Sequence, residues 1–436
     1  MYYMKRSYSS LLFAFFYLLC MGYANGKAIS STPKKDSSSA YHYIELSLKS
    51  SYLLDSRGIA NKSVYDYFKG KYFTKDDINL LNRNLKNTSV LGQDFSMDIV
   101  YKRNRNRLDN FLNDIHYGFR SHFDLSIGKD LAGLASRGNA PYAGKNLDNT
   151  NLLFRSISWH KIGVSFCYFK RSSDAPILTV GLNYVSGNNY TYANLTNTQI
   201  FTQQNGDYID AKWNIDYRSS NSSNLFGFGG NGASMDLKYL TWFINHQDSR
   251  KSPVFIEAQV IDLGFISWNK NNKNLSWDSS LRFSGIDVGN ITAITSKNYS
   301  DHLSDSLKTI LNSHYNYLKN NSILPAIFVL KISKVYINGK KYNNVYAKLD
   351  YMVRASYKPQ LTFGVESIKS RYSLTPQIRL GGYGDFNIDL FYNYYINQSK
   401  TKQKWYFSVK IYSIEALIAP KYQSGLGLSI QTNYKF

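Results

Sequence analysis

The most regular feature of the chain is the alternation of apolar and polar positions. Between Ile115 and Gly128, the residues Ile115, Tyr117, Phe119, Phe123, Leu125 and Ile127 share one parity. His116, Gly118, Arg120, His122 and Asp124 share the other. A period of two marks a β-strand with one apolar face. The pattern recurs over residues 157–169, 176–185, 208–218, 236–245, 254–268 and 274–288. It resumes over 324–337, 345–357, 361–368, 372–381, 386–396 and 405–417, and closes with 425–436. Turn sequences such as Asn338-Gly339 and Gly381-Gly382-Tyr383-Gly384 separate the runs. The array predicts about 14 strands, up to roughly 16, in one all-β domain.

The array is expected to run from residue 94 to residue 436. Ahead of it, Tyr41 to Lys49 alternates with a change of phase and is a candidate first strand. Residues 50–90 do not alternate. Thr74 and Asp77 there have the spacing of a capping box, and Ile78, Leu81 and Leu85 follow at helical spacing. A short N-terminal helical element is predicted, either a plug, a periplasmic element or a surface cap. A second, inserted helix is predicted near residues 300–318, with Ser300 as its cap and Leu303, Leu307, Ile310, Leu311 and Leu318 as its stripe.

A soluble antiparallel sheet with one wet face alternates in the same way. The strand lengths are close to the roughly 9–11 residues that cross a bilayer in a barrel. Tyr is the compositional outlier, with 38 residues. Its apolar ring and polar tip suit a membrane–water interface, although Tyr also favours strands in general. In the last stretch Leu426, Leu428, Ile430, Tyr434 and Phe436 lie on one face, opposite Gly427, Ser429, Gln431, Asn433 and Lys435. Ending on Phe436 with Tyr434 two before it, this stretch resembles the C-terminal targeting strand of bacterial outer-membrane barrels. The resemblance implies that Tyr434 and Phe436 are the assembly signal read by the barrel-assembly machinery. Beyond the leader, no stretch approaches the roughly 20 apolar residues of a spanning helix.

The leader is an export signal. Lys5 and Arg6 precede the apolar run Leu11 to Met21, and Gly22, Ala24 and Gly26 follow. A lipoprotein signal at Cys20 is disfavoured, because Leu19 is not small. The expected division is a signal peptide over 1–24, a polar lead with the small helical element over 25–93, and the barrel over 94–436. Loss of Cys20 leaves Cys167 alone, so no internal disulfide is expected in an oxidising compartment. The formal charge of +22 fits nucleic acid, an anionic lipid surface or a cationic lumen. An exported chain without a recognition motif leaves nucleic acid aside. Basic loops against anionic headgroups are the simplest account.

Candidate chemistry is sparse. Gly227 to Gly232 fits the letters of the dinucleotide fingerprint, but a Ser/Asn-rich stretch precedes it and a strand follows, so it reads as a loop. His116, Arg120, His122 and Asp124 form a polar face suited to a lumen-lining hydrogen-bond network or a ligand surface. The two histidines are too far apart on a strand to share a metal unaided. No serine elbow or carboxylate pair accompanies His160 or His246, so neither an enzyme nor a cofactor is expected. Between Val260 and Leu263 the alternation changes phase. A bulge at Asp262–Gly264 would do this, as a plain structural kink.

Two segments resemble an uncharacterised family of Bacteroidota outer-membrane barrels, related to the FadL and PorV types. One is Arg137-Gly-Asn-Ala-Pro-Tyr-Ala-Gly-Lys145 with the following Ser158-Trp-His-Lys-Ile-Gly-Val-Ser165. The other is Val260-Ile-Asp-Leu-Gly-Phe-Ile-Ser-Trp268 with Phe283-Ser-Gly-Ile-Asp287. The FadL likeness implies passage or capture of a hydrophobic or amphipathic small molecule, and implies a lateral gate as the alternative role of a bulge at Asp262–Gly264. The PorV likeness implies a non-transporting envelope scaffold that docks a secreted protein. Both imply an outer-membrane location with outer-membrane lipid as a partner, and neither carries over catalytic residues.

Overall fold

A computed structural model describes residues 43–68, 74–104, 111–169, 177–205, 208–221, 228–243, 254–269, 272–283, 315–338, 341–369, 371–397, 404–420 and 423–435. Fourteen antiparallel strands close a barrel. Its first half is β1 (Tyr43–Arg57), β2 (Thr88–Asn104), β3 (Phe111–Gly128), β5 (Leu152–Phe169), β6 (Ile177–Thr202), β8 (Gly230–Phe243) and β9 (Val254–Trp268). Its second half is β13 (Ile327–Asn338), β14 (Lys341–Met352), β15 (Lys358–Ile368), β16 (Tyr372–Gly382), β17 (Phe386–Asn397), β18 (Lys404–Tyr412) and β19 (Leu426–Lys435). The seam is β19 against β1, in register from Glu45↔Lys435 to Leu54↔Leu426. Closure pairs the edge groups that an open sheet would leave bare in lipid.

The alternation sorts the side chains. Ile115, Ile162, Leu182, Phe328, Phe363 and Leu428 point outward and are exposed. A continuous apolar outer band is what lipid solvates and water does not. Arg120, His122, Asp124, Lys161, Arg379 and Asp389 point inward and are buried. Acidic and basic residues are interspersed on the inner wall. The net positive charge of the chain therefore does not make a uniformly cationic lumen.

Inserted elements gather at the rim opposite the start of β1 and the end of β19. Helices α1 (Asn61–Phe68) and α2 (Lys75–Asn84) join β1 to β2. Helix α3 (Lys129–Arg137), a 3-10 turn at Ala140–Tyr142 and β4 (Asn146–Leu147) join β3 to β5. A short α4 (Ile414–Ile418) precedes β19. At the same rim β6 outgrows the barrel. Its residues 177–187 pair with β8, whereas 189–202 pair with β7 (Ile209–Asn221). Strand β10 (Asn272–Phe283) pairs with β7, and the short β11 (Asn316–Leu318) and β12 (Asn321–Ile323) pair with β10 and β9. Two apolar clusters support this rim. Ile157, Trp159, Val185, Ile266, Trp268 and Leu324 form one, with Tyr190 packed on it. Leu147, Ile200 and Ala211, with Leu131 and Leu134 of α3 against them, form the other.

Four expectations are corrected. The barrel begins at Tyr43, so the boundary at residue 94 falls inside β2 and the helical element is a rim insertion after the first barrel strand. Strand β1 escapes a simple reading because Ser47, Ser50, Ser51 and Ser56 dilute its alternation. Residues 208–218 and 274–288 supply β7 and β10, which lie beyond the barrel wall. The strand total survives because β1 and β2 take their places. Gly230 to Gly232 open β8 and are not part of a loop. The leader 1–24, Phe436 and residues 300–314 of the expected inserted helix lie outside the described residues. The remainder of that helix, Asn316–Leu318, is strand.

Candidate functional site: ion clusters on the inner wall

Strand β9 carries a bulge on its inner side. Met235 faces Leu263 and Leu237 faces Val260, so Asp236 opposes two residues, Ile261 and Asp262. The extra residue, Asp262, has φ 57°. Its short polar side chain tolerates this left-handed conformation, and the bulge turns it inward. Gly264 lets the strand approach its neighbour: a Cβ there would collide with the Ala233 carbonyl. Past the bulge β9 changes partner from β13 to β12, and the backbone N–H of Leu324 donates to the Gly264 carbonyl at 3.0 Å.

Asp262 is the hub of a buried ion cluster. Arg120 Nε donates to its Oδ2 at 3.3 Å, and Lys161 Nζ donates to its Oδ1 at 2.6 Å. Arg120 also reaches Asp98, with Nη2 2.7 Å from Oδ1. Asp236 accepts from Lys161 at 3.0 Å, from Asn183 Nδ2 at 3.0 Å and from the Asp262 backbone N–H at 2.7 Å. Each charge thus meets an opposite charge or a hydrogen bond, which is the condition for retaining charge away from bulk water.

The four polar residues singled out on β3 all face inward, but they do not form one network. His116 Nε2 lies 2.5 Å from Asn183 Oδ1, and Arg120 joins the Asp262 cluster. His122 Nδ1 lies 2.6 Å from Asp94 Oδ1, with its ring stacked 5.3 Å from Trp159. Asp124 accepts from Ser356 Oγ at 2.9 Å and lies 3.6 Å from Arg354 Nη1. Among the described residues no group of His, Cys, Asp and Glu has the arrangement to hold a metal.

A second cluster occupies the other half of the wall. Arg379 on β16 lies 2.9 Å from Asp389 on β17 and 3.7 Å from Asp55 on β1. Lys410 on β18 lies 3.3 Å from Asp389, with the rings of Phe391 and Tyr412 each 4.2 Å from its Nζ. Tyr383, in the turn between β16 and β17, inserts its ring against β2 at Gly92, where any Cβ would strike the ring. Its neighbour Tyr357 meets it edge-on at 5.0 Å. Rim turns of one half therefore reach the wall of the other. Sequence reasoning missed Lys161, Asp236, Arg379 and Asp389. A charge on the inner parity of an alternating strand was the signal, but parity does not tell which strands meet across a lumen.

Below the Asp262 cluster, toward the chain-end rim, lies a chamber of about 290 Å³ lined by Asp98, His116, Arg120, Lys161, Asp236 and Gln259 among others. Outside the same wall an apolar groove of about 380 Å³ runs over Leu178, Tyr239, Val260, Phe328, Leu330 and Tyr351. Leu237, Lys238, Gln259 and Val260 border both spaces.

A closed antiparallel barrel with a lipid-facing apolar band and a charged interior defines the class: a transmembrane β-barrel. No described helix is long and apolar enough to cross a membrane. Residues 41–419 match the model of a family of unknown function, DUF5723, and the chain belongs to that family. No match was found among curated proteins. Among solved structures the chain is similar to the toluene transporter TbuX of Ralstonia pickettii, at 8% identity and TM-score 0.39, over 90% of this chain and 88% of that one. It is also similar to a FadL homologue of Pseudomonas aeruginosa, at 8% identity and TM-score 0.38, over 91% and 90%. A third is the translocator domain of the autotransporter NalP from Neisseria meningitidis, at 7% identity and TM-score 0.32, over 91% and 90%.

Proposed function

We propose that the protein is a barrel of the bacterial outer membrane that works as a closed-lumen envelope scaffold, docking a secreted protein on its insertion-bearing rim. The observation that carries this reading is the Arg120–Asp262 contact, which joins the inner faces of two strands four apart in the wall and, on this reading, narrows the lumen. The Tyr383 insertion and the packed Trp159 and Trp268 support it. With the chain-end rim on the periplasmic side, α1 to α3 and the β6–β7–β10 extension face outward. The barrel-assembly machinery recognises the terminal strand through Tyr434 and Phe436, and outer-membrane lipid covers the apolar band. Conductance of the refolded, full-length protein in a planar bilayer tests the reading. A scaffold gives no unitary current. Steps of open-pore size would sink it.

Passage of a hydrophobic or amphipathic small molecule is the second reading. It is favoured by the outer groove and the inner chamber sharing one stretch of wall beside the β9 bulge. Tracer flux into vesicles separates the two. Entry of a fatty acid but not of a sugar would replace the scaffold with a transporter.

A further inference from the structure

The buried arginines of the interior differ in how their donors are used. Arg120 directs Nε to Asp262, Nη2 to Asp98 and Nη1 to the carbonyls of Met97 and Phe119. Arg379 directs Nε to Asp389 and Nη2 to Ser413. Arg354, in the turn between β14 and β15, engages only Nη1, at 3.6 Å from Asp124. Its Nε and Nη2 are buried without a hydrogen-bond partner among the described residues, and its side chain is 8% exposed. Those two groups lie on one edge of the guanidinium. They form the parallel fork with which arginine grips an oxyanion through two hydrogen bonds.

A second cation faces the same place. Arg155 is the cross-strand neighbour of Asp124, and its Nε is also buried without a partner. Tyr190, stacked on Trp268, feels the charges of Arg218, Arg354 and Arg155, in that order. Asp124 is one carboxylate facing buried Arg354 and half-buried Arg155, and an uncompensated buried charge is costly.

We propose that Arg354 and Arg155 form a binding site for one oxyanion, a phosphate or carboxylate group. The Arg354 fork holds two of its oxygens, and Arg155 with the Tyr190 hydroxyl completes the shell. Asp124 and Ser356 fix the Arg354 turn from below. Arg354 lies in the turn between β14 and β15, at the insertion-bearing rim. The site is independent of the scaffold reading, and either could fail alone.

The test uses full-length protein folded in non-ionic detergent, titrated calorimetrically with inorganic phosphate and with acetate at constant ionic strength. Native mass spectrometry of membrane-extracted protein runs beside it. One-to-one binding of a free anion supports the proposal, with affinity at least about tenfold weaker in Arg354→Gln. A copurified phospholipid that Arg354→Gln no longer retains supports it equally and identifies a lipid headgroup as the source. Arg354→Lys keeps the charge without the fork and falls between the two. Heat-modifiable mobility confirms that each variant is closed. If Arg354→Gln does not close, Arg155→Gln takes its place with the same expected loss. Absence of both free anion and retained lipid in the wild type overturns the site, as does undiminished binding in the variants.

Discussion

Arg120 of β3 touches Asp262 of β9, Nε to Oδ2 at 3.3 Å, although β5, β6 and β8 lie between their strands. Four strand spacings amount to roughly 19 Å along a sheet. Contact over that path requires a curved wall and two side chains that reach inward to meet. The bulge supplies one of them, because it turns Asp262 into the lumen beside Lys161.

Asp262→Asn is expected to destabilise the closed barrel by about 1–3 kcal/mol, because Arg120 and Lys161 lose their shared counter-charge but keep Asp98 and Asp236. Denaturant titration of the folded form, read by heat-modifiable mobility, checks this. A change within experimental error would mean that water already screens the cluster.

Gly92→Val is expected to expel the Tyr383 ring from its notch on β2. Overpacking of this kind costs about 1–3 kcal/mol. Fluorescence quenching of a Trp placed by Tyr383→Trp, with and without the Gly92 change, reports the displacement. If the ring stays protected in the double variant, the turn does not depend on the notch.

The rim helices carry a pH-sensitive contact. A hydrogen bond from Lys62, reinforced by the Thr74 cap, lowers the Asp77 carboxyl from its ordinary 3.8 to about 2. A lowered folded value stabilises the α1–α2 contact above the ordinary value and loses that support as pH falls through about 2. The protection of the α2 amides against hydrogen exchange, relative to the intrinsic rate at each pH, is expected to fall between about pH 4 and pH 2. In Asp77→Asn that pH dependence should vanish.

Tyr434 packs on Trp405 of the neighbouring strand, with centroids 4.7 Å apart on the outer face. Tyr434→Ala combined with Phe436→Ala is expected to reduce the amount of closed barrel in the outer membrane several-fold. Cell fractionation measures it, and unchanged assembly would dissociate the terminal aromatics from targeting.

What the sequence made legible was parity. The alternation in 115–128 sorted Ile115 and Phe119 outward and Arg120 and Asp124 inward, as the structure does. The phase change between Val260 and Leu263 is equally visible in one dimension. The partners are not. Asp262 meets Arg120 at a sequence separation of 142, and Asp124 meets Ser356 at 232. Only closure and curvature bring such residues together. Parity is also blind to whether a strand lies in lipid. Residues 208–218 alternate as cleanly as 115–128, yet β7 stands beyond the wall, where water and the Asp210–Arg282 pair satisfy its polar face.

The β1–β19 seam has a kinetic consequence. Glu45 waits for Lys435, so nearly the whole chain must be synthesised before the first strand gains its second neighbour. Until then β1 and β18 present two bare edges capable of pairing with any passing strand. A topology this non-local folds slowly and is exposed to aggregation while it waits. The final ten residues of ordered strand thus act as a timing device. A nascent chain that lacks them is a client for chaperones and proteases, and a chain that has them can become a membrane protein.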